Sequence, residues 1–256
     1  MELRMLFNED EFNYDKYRPH YPKEMFWDII SYAKLHSTDK LIEIGIGTGQ
    51  ATLPFLKMGC EITAVEIGDN LCRFASDKYK TYENLQIVNS DFMLFPTEEN
   101  SADLIYSATA FHWLPQREAY EKIKRTLKPR GVVALFWNHP FPNRENDPTN
   151  IANIKVYNKY RPSPKKLTEF TEADCEKRVS ELKEFGFNDV TAKVYRSMRT
   201  LSAKDYINLL NTYSDHRALD CDIKAQFEQD MLHEITAVGG KINIYDTVDL
   251  YLARNP

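Results

Sequence analysis

The sequence predicts an α/β domain built on a mostly parallel sheet with helices on both faces, and a group of extra helices before its last strand. Three observations predict it. Between residues 23 and 138, short apolar runs rich in β-favouring residues alternate with stretches of helical periodicity. A loop with three glycines, LIEIGIGTGQ (41–50), joins the first such run to the next helical stretch. The 256 residues, 43% hydrophobic and 12% aromatic, are enough to bury one large core.

The first helical stretch, KEMFWDIISYAKL (23–35), gathers Met25, Phe26, Ile29, Ile30 and Ala33 on one side. KLIEIG (40–45) reads as a buried strand, and the chain from Thr48 to Met58 as the helix after it, closed at Met58-Gly59. EITAVEIG (61–68) is the second strand, followed by a helix from about Asn70 to Tyr82. LQIVNSD (85–91) is the third strand, and SADLIYSATA (101–110) contains the fourth. QREAYEKIKRTL (116–127) is an amphipathic helix ended by Lys128-Pro129-Arg130-Gly131, and VVALFWN (132–138) is the fifth strand. Crossovers between parallel strands are expected to be right-handed.

Beyond residue 138 the pattern changes. Five prolines fall between 139 and 168, so that stretch is loop-rich, with one short helix near 148–160. CEKRVSELKEFGF (175–187) is a helix closed by Gly186, and VTAKVYRSMR (190–199) is a strand. Ser202 is a good N-cap for a helix through SAKDYINLLN, and a further helix runs from about 220 to 237. After the turn at Gly239-Gly240, KINIYDTVDLYLAR (241–254) alternates like a final strand.

Composition narrows the function classes. A net charge of −5 and a pI of about 5.8 give no electrostatic case for a nucleic-acid partner. No apolar stretch approaches the roughly 20 residues that span a bilayer. The acidic, aromatic start MELRMLFNEDEFNYDKYRPHYP is unlike a secretory signal. Cys60, Cys72, Cys175 and Cys221 make no CxxC or zinc-type spacing, which suits free thiols in a reducing compartment, and a cytoplasmic protein is expected.

Small residues between a strand and a helix let the backbone approach a ligand closely. A Walker-type phosphate loop needs a lysine after its last glycine, and none follows here. A dinucleotide fingerprint wants GxGxxG, whereas Gly45, Gly47 and Gly49 bring the third glycine one place early. Glu43 stands two residues before the first glycine; it would repel a pyrophosphate but suits a ligand with an ammonium group.

The run Glu43-x-Gly45-x-Gly47-Thr48-Gly49-x-x-Thr52 resembles motif I of the class I S-adenosylmethionine-dependent methyltransferases. Independent landmarks follow in that family's order: Glu66 at the end of the second strand, placed to accept two ribose hydroxyls; Asp91-Phe92 after the third; Ala102-Asp103-Leu104-Ile105-Tyr106-Ser107, similar to motif IV; and LKPRGVVAL before the fifth strand. FNYDKYRPHYP (12–22), AFHWLP (110–115) and TYSDH (212–216) resemble a small-molecule branch akin to the trans-aconitate and malonyl carrier-protein methyltransferases.

The resemblance implies a Rossmann-like, seven-stranded mixed sheet in the order 3-2-1-4-5-7-6, with a helical cap inserted before the last strand. It implies one methyltransferase domain over 1–256, with a cofactor-binding core at 36–138. Residues 1–22 would lie over the cofactor, and 139–170 with 200–238 would form the cap. Roughly forty residues between the sixth and seventh strands are too many for a hairpin loop. S-adenosylmethionine would be held by Gly45, Gly47, Thr48, Gly49 and Gln50, by Glu43, by Glu66 with Ile67, by Asp91 and Phe92 at the adenine, and by Ser107 and Ala108. Tyr14 and Arg18 are candidates for its methionine end, with the alternative that Arg18 packs on an aromatic ring.

Methyl transfer needs a general base only when the acceptor arrives protonated; a carboxylate needs none. His112 is the candidate base, against a structural role for the same ring. Trp113, Asn138, His139, Tyr213 and His216 are candidates to meet the substrate. No metal is expected, and SATAFHW after the fourth strand lacks the motif of the amino-methylating nucleic-acid enzymes. The expectation is transfer of a methyl group to a small molecule by a monomer or homodimer, with a catalytically silent cofactor-binding protein as the alternative.

Overall fold

The computed structural model describes residues 10–256; the first nine residues of the expected N-terminal segment lie outside the described residues. Seven strands form one mixed sheet in the order β3-β2-β1-β4-β5-β7-β6, as expected. β1 (Lys40–Ile44) pairs in parallel with β2 (Glu61–Glu66) on one side and β4 (Ala102–Ala108) on the other. β3 (Leu85–Asn89) extends the sheet from β2, and β5 (Leu127–Phe141) from β4. β7 (Lys241–Arg254) and β6 (Asn188–Ser202) complete it. The sheet grows outward in opposite directions from β1 and β4. Their carboxyl ends therefore flank a topological switch point, where open α/β sheets bind ligands.

Contacts divide the chain into two compact units. The first comprises Pro19–Asn138, Thr171–Tyr195 and Val248–Pro256. Four consecutive residues of β1 are buried, as in a strand covered on both faces. α2 (Lys23–Ala33) contributes Met25, Phe26 and Ile29 to the core, where Phe26 meets Phe55 edge-on at 5.7 Å. Between β strands lie α3 (Leu53–Met58), α4 (Asp69–Tyr79) and α5 (Gln116–Thr126).

The second unit takes the N-terminal stretch to Arg18, His139–Phe170 and Arg196–Thr247. α1 (Glu11–Tyr17), α6 (Pro148–Tyr160), α8 (Ala203–Leu210), α9 (Ser214–Arg217) and α10 (Cys221–Ala237) belong to it. Val156, Tyr206, Leu209, Phe227, Met231 and Ile235 form its core. Ser202 caps α8 as the sequence suggests, its Oγ accepting from the Asp205 N–H at 3.1 Å.

Asp147 caps α6, accepting from the Thr149 N–H (2.8 Å), Asn243 Nδ2 (2.9 Å) and the Tyr245 hydroxyl (2.8 Å). Burial alone would raise its pKa, but these donors hold it down at about 2. Asp147→Ala is expected to cost about 2 kcal/mol in denaturant unfolding at pH 7. A folded pKa below the unfolded value confers stability above the usual carboxylate range and loses it as pH falls through about 2. The difference between variant and wild type should therefore shrink between pH 5 and pH 2.

The structure corrects several boundaries. α3 begins at Leu53 rather than at Thr48, because Gly47 and Gly49 hold positive φ and the chain turns through Thr48–Thr52 first. β5 begins at Leu127, directly after α5, not at residue 132. Ala102 pairs with Leu127 and Leu104 with Val132, so Lys128-Pro129-Arg130-Gly131 is a bulge within the strand, not a loop before it. Arg130 takes φ +63° there. α4 ends three residues early, at Tyr79. α7 (Glu176–Glu184) is shorter than the expected 175–187, and β6 is longer than 190–199.

Candidate cofactor site

At the carboxyl end of β1 the glycine loop carries three left-handed residues, Gly45 at φ +74°, Gly47 at +55° and Gly49 at +83°. Side chains are excluded as well as strained. A Cβ on Gly45 would lie 2.6 Å from Ala110 Cβ, and one on Gly49 only 2.3 Å from the Tyr79 ring. α4 secures the loop from behind: the Tyr79 hydroxyl donates to the Gly49 carbonyl (2.7 Å) and Lys78 Nζ to the Thr48 carbonyl (2.9 Å). Thr48 is fully buried, and its hydroxyl accepts from Gln50 Nε2 (2.6 Å). Neither Tyr79 nor Lys78 is singled out by sequence reasoning, since nothing in the α4 pattern marks which of its residues face a neighbouring loop.

Two buried carboxyl groups flank this loop. Glu43 of β1 is wholly inaccessible; its Oε2 accepts from Thr52 Oγ1 (2.7 Å) and from the Tyr106 hydroxyl (2.8 Å), while Oε1 has no partner among the described residues. Burial pushes its pKa up to about 8, against the pull of those two donors. Glu66, at the end of β2, accepts from the Gly47 N–H through Oε2 and from the Gly68 N–H through Oε1, each at 2.9 Å. Burial raises its pKa, and these backbone donors, with Ile67's, oppose the rise. One oxygen of Glu66 thus fixes the second glycine of the loop.

After β3 the chain curls. Asp91 Oδ1 accepts from the Met93 N–H (2.8 Å), and Phe92 is buried behind it. Lys122 of α5 sends its ammonium beneath this turn, a contact that sequence reasoning missed. A signal existed: Lys122 is a charge on the same face of α5 as Ala119, Ile123 and Thr126.

At the end of β4, Ser107 is buried and its hydroxyl donates to the Ile44 carbonyl (2.9 Å), so it ties β4 to β1 and its side chain is committed there, with Ala108 half-buried beside it. The following residues 111–113 form a single 3₁₀ turn. His112 Nδ1 accepts from the indole N–H of Trp137 at 3.0 Å. An indole nitrogen only donates, so Nδ1 keeps its lone pair for Trp137 and the neutral ring carries its proton on Nε2. Burial and the nearby Arg178 guanidinium lower the pKa of His112. With Nδ1 engaged by Trp137, the structural role weighed for this ring is the one that its hydrogen bond describes. Trp113 lies tilted against the His112 ring at 4.9 Å, and Asn138 ends the unit at half burial.

The other expected residues belong to the second unit. Arg18 donates through Nε to Thr212 Oγ1 (2.9 Å) and through Nη2 to the Thr212 carbonyl (2.8 Å), with its guanidinium over the rings of Tyr14 (4.9 Å) and Tyr213 (4.3 Å). His139 stacks on Phe170 at 4.0 Å. His216 is interior: it is 4% exposed, its Nε2 meets the Tyr157 hydroxyl at 2.7 Å, and burial takes its pKa down to about 4. That placement corrects its expected contact with substrate, because its ring packs against Tyr157 and Phe227 in the unit's core.

This sheet order, with a left-handed glycine loop and carboxylates at the ends of β1, β2 and β3, defines the class I S-adenosylmethionine-dependent methyltransferase fold. Residues 42–135 match the family described as methyltransferase domain. An uncharacterized methyltransferase of Schizosaccharomyces pombe is 26% identical over 245 residues, 95% of this chain and 92% of its own. The malonyl-[acyl-carrier protein] O-methyltransferase of a Marinomonas species is 26% identical over 138 residues, 52% of this chain and 50% of its own. Phosphoethanolamine N-methyltransferase 2 of Haemonchus contortus, solved with phosphomonomethylethanolamine and S-adenosylhomocysteine, matches with a TM-score of 0.57 at 14% identity. That match spans 100% of this chain and 60% of the worm protein, and at such identity it speaks for the fold.

Proposed function

We propose that the chain transfers the methyl group of S-adenosylmethionine to a small molecule whose nucleophile arrives already deprotonated, a carboxylate foremost. The observation that carries this reading is the pair of buried carboxyl groups, Glu43 and Glu66, on either side of a loop too tight for side chains. An orphaned, wholly buried Oε1 on Glu43 suits the ammonium of an amino acid better than any phosphate. Glu66, already anchored by one N–H on each oxygen, keeps a lone pair on each for the ribose hydroxyls. Asp91 would accept from the adenine amine, with Phe92 against the purine.

The bound sulfonium supplies an activated methyl group on an excellent leaving group. What falls to the chain is alignment and exclusion of water. The acceptor half of the reading rests on His112: with Nδ1 held by Trp137, its outer nitrogen donates. A donor there orients an anionic nucleophile and removes no proton, which favours a carboxylate over an amine or alcohol. Four unpaired cysteines support placing the enzyme in a reducing compartment, the cytoplasm.

Calorimetric titration with S-adenosylmethionine, S-adenosylhomocysteine and NAD tests the cofactor half: micromolar binding of the first two and none of NAD is expected. Asp91→Ala should weaken that binding by about 1–3 kcal/mol. Release of S-adenosylhomocysteine on a panel of carboxylic acids, amines and phenols tests the acceptor half. Turnover confined to amines or phenols refutes the carboxylate reading, and tight binding with no turnover at all would leave a silent cofactor-binding protein.

A further inference from the structure

Lys122 is the only charged residue among the buried positions of α5, and it is 8% exposed. Burying an ammonium is costly unless its protons are all taken. Here they are: Nζ donates to the carbonyls of Phe92 (2.6 Å), Met93 (3.2 Å) and Phe95. Those three carbonyls converge because the chain after β3 closes on itself. The N–H groups of Leu94 and Phe95 both return to the Asp91 carbonyl, at 3.0 and 2.9 Å, while the Asp91 carboxylate takes the Met93 N–H. The Phe92 ring lies 5.0 Å from the same ammonium. A second tie, Thr126 Oγ1 to Thr97 Oγ1 at 2.8 Å, fastens the end of the segment to α5. The turn is therefore shaped around a cation.

We propose that Lys122 is a positioning residue for the purine end of the cofactor: it sets the backbone of residues 91–95, and through that backbone the Asp91 carboxylate and the Phe92 ring that read adenine. The inference rests on the cofactor reading above. A lysine that only held the fold together would change stability without changing what the turn recognises. A lysine that sets the turn also changes base discrimination. Asp91 accepts from an exocyclic amine, so the intact turn should prefer adenine to hypoxanthine, which presents a carbonyl there instead.

The test compares S-adenosylhomocysteine with S-inosylhomocysteine by titration calorimetry on the full chain, in wild type and in Lys122→Met, Lys122→Gln and Lys122→Arg. Lys122→Met keeps the apolar stem and should weaken S-adenosylhomocysteine at least tenfold, while the adenine-over-hypoxanthine ratio falls towards one. Gln, with two donors, and Arg, with a retained charge, should recover both quantities in that order. The order also serves if the Met variant fails to fold. An unchanged ratio across the variants, whatever happens to their melting temperatures, overturns the proposal. Failure of the wild type itself to bind S-adenosylhomocysteine would instead overturn the cofactor reading, and this inference with it.

Discussion

Gly47→Val should fold and should not bind S-adenosylmethionine. Gly47 sits at φ +55°, a conformation that costs a β-branched residue about 1–2 kcal/mol. That strain falls on a loop, and the protein's core does not depend on it. The cost to binding is larger. The Gly47 amide is held on Glu66 Oε2 at 2.9 Å, so a branched side chain that twists the loop also displaces the carboxylate expected to take the ribose. Weakening of at least hundredfold, about 2.7 kcal/mol, is expected with a melting temperature only a few degrees below wild type. Gly49→Val makes a useful contrast. Its Cβ would meet the Tyr79 ring at 2.3 Å, so that variant should lose stability as well. If Gly47→Val bound the cofactor normally, the site would not be at this loop.

The glycine loop was legible because its chemistry is local. Left-handed backbone favours glycine whatever surrounds it, and the carboxylate two residues upstream stands in the same short run. The parallel sheet was legible from the alternation of strand and helix, while the strand order was implied by the family resemblance of the glycine loop and the landmarks after it. What escaped is set by long-range partners. His112 has its Nδ1 partner, the Trp137 indole, 25 residues on, and nothing in the local sequence marks that pair. His216 reads as a polar residue at a cap until Tyr157 and Phe227 close over it. Lys122 is not singled out by the sequence, because the three carbonyls it meets belong to the turn after β3. The helix expected from Thr48 failed for a local reason given too little weight: Gly49, one residue on, adopts positive φ, and the helix cannot start until it is passed.

Glu43→Gln should stabilise the ligand-free protein and weaken its ligand. Glu43 is buried, and burial lifts its pKa from the usual carboxylate range to about 8. A raised folded pKa means the contribution to stability is fully present below the unfolded value and is lost as pH rises through the folded one. Wild type therefore loses stability between pH 5 and pH 8, on the order of several kcal/mol, because the unfolded chain ionises freely while the folded chain resists. Glutamine has no proton to lose. The gap in melting temperature, variant over wild type, should open across that window and level off above pH 8. Binding should run the other way: the ammonium of S-adenosylmethionine favours the ionised acid, so wild-type affinity should climb towards pH 8, while the variant stays flat and at least tenfold weaker there. Melting curves that stay parallel from pH 5 to pH 9 would show that Glu43 does not carry its proton in the folded state. The uncompensated Oε1 would then have to be satisfied some other way. If both trends appear, the same side chain that burdens the empty fold is the one that the cofactor's amino group relieves.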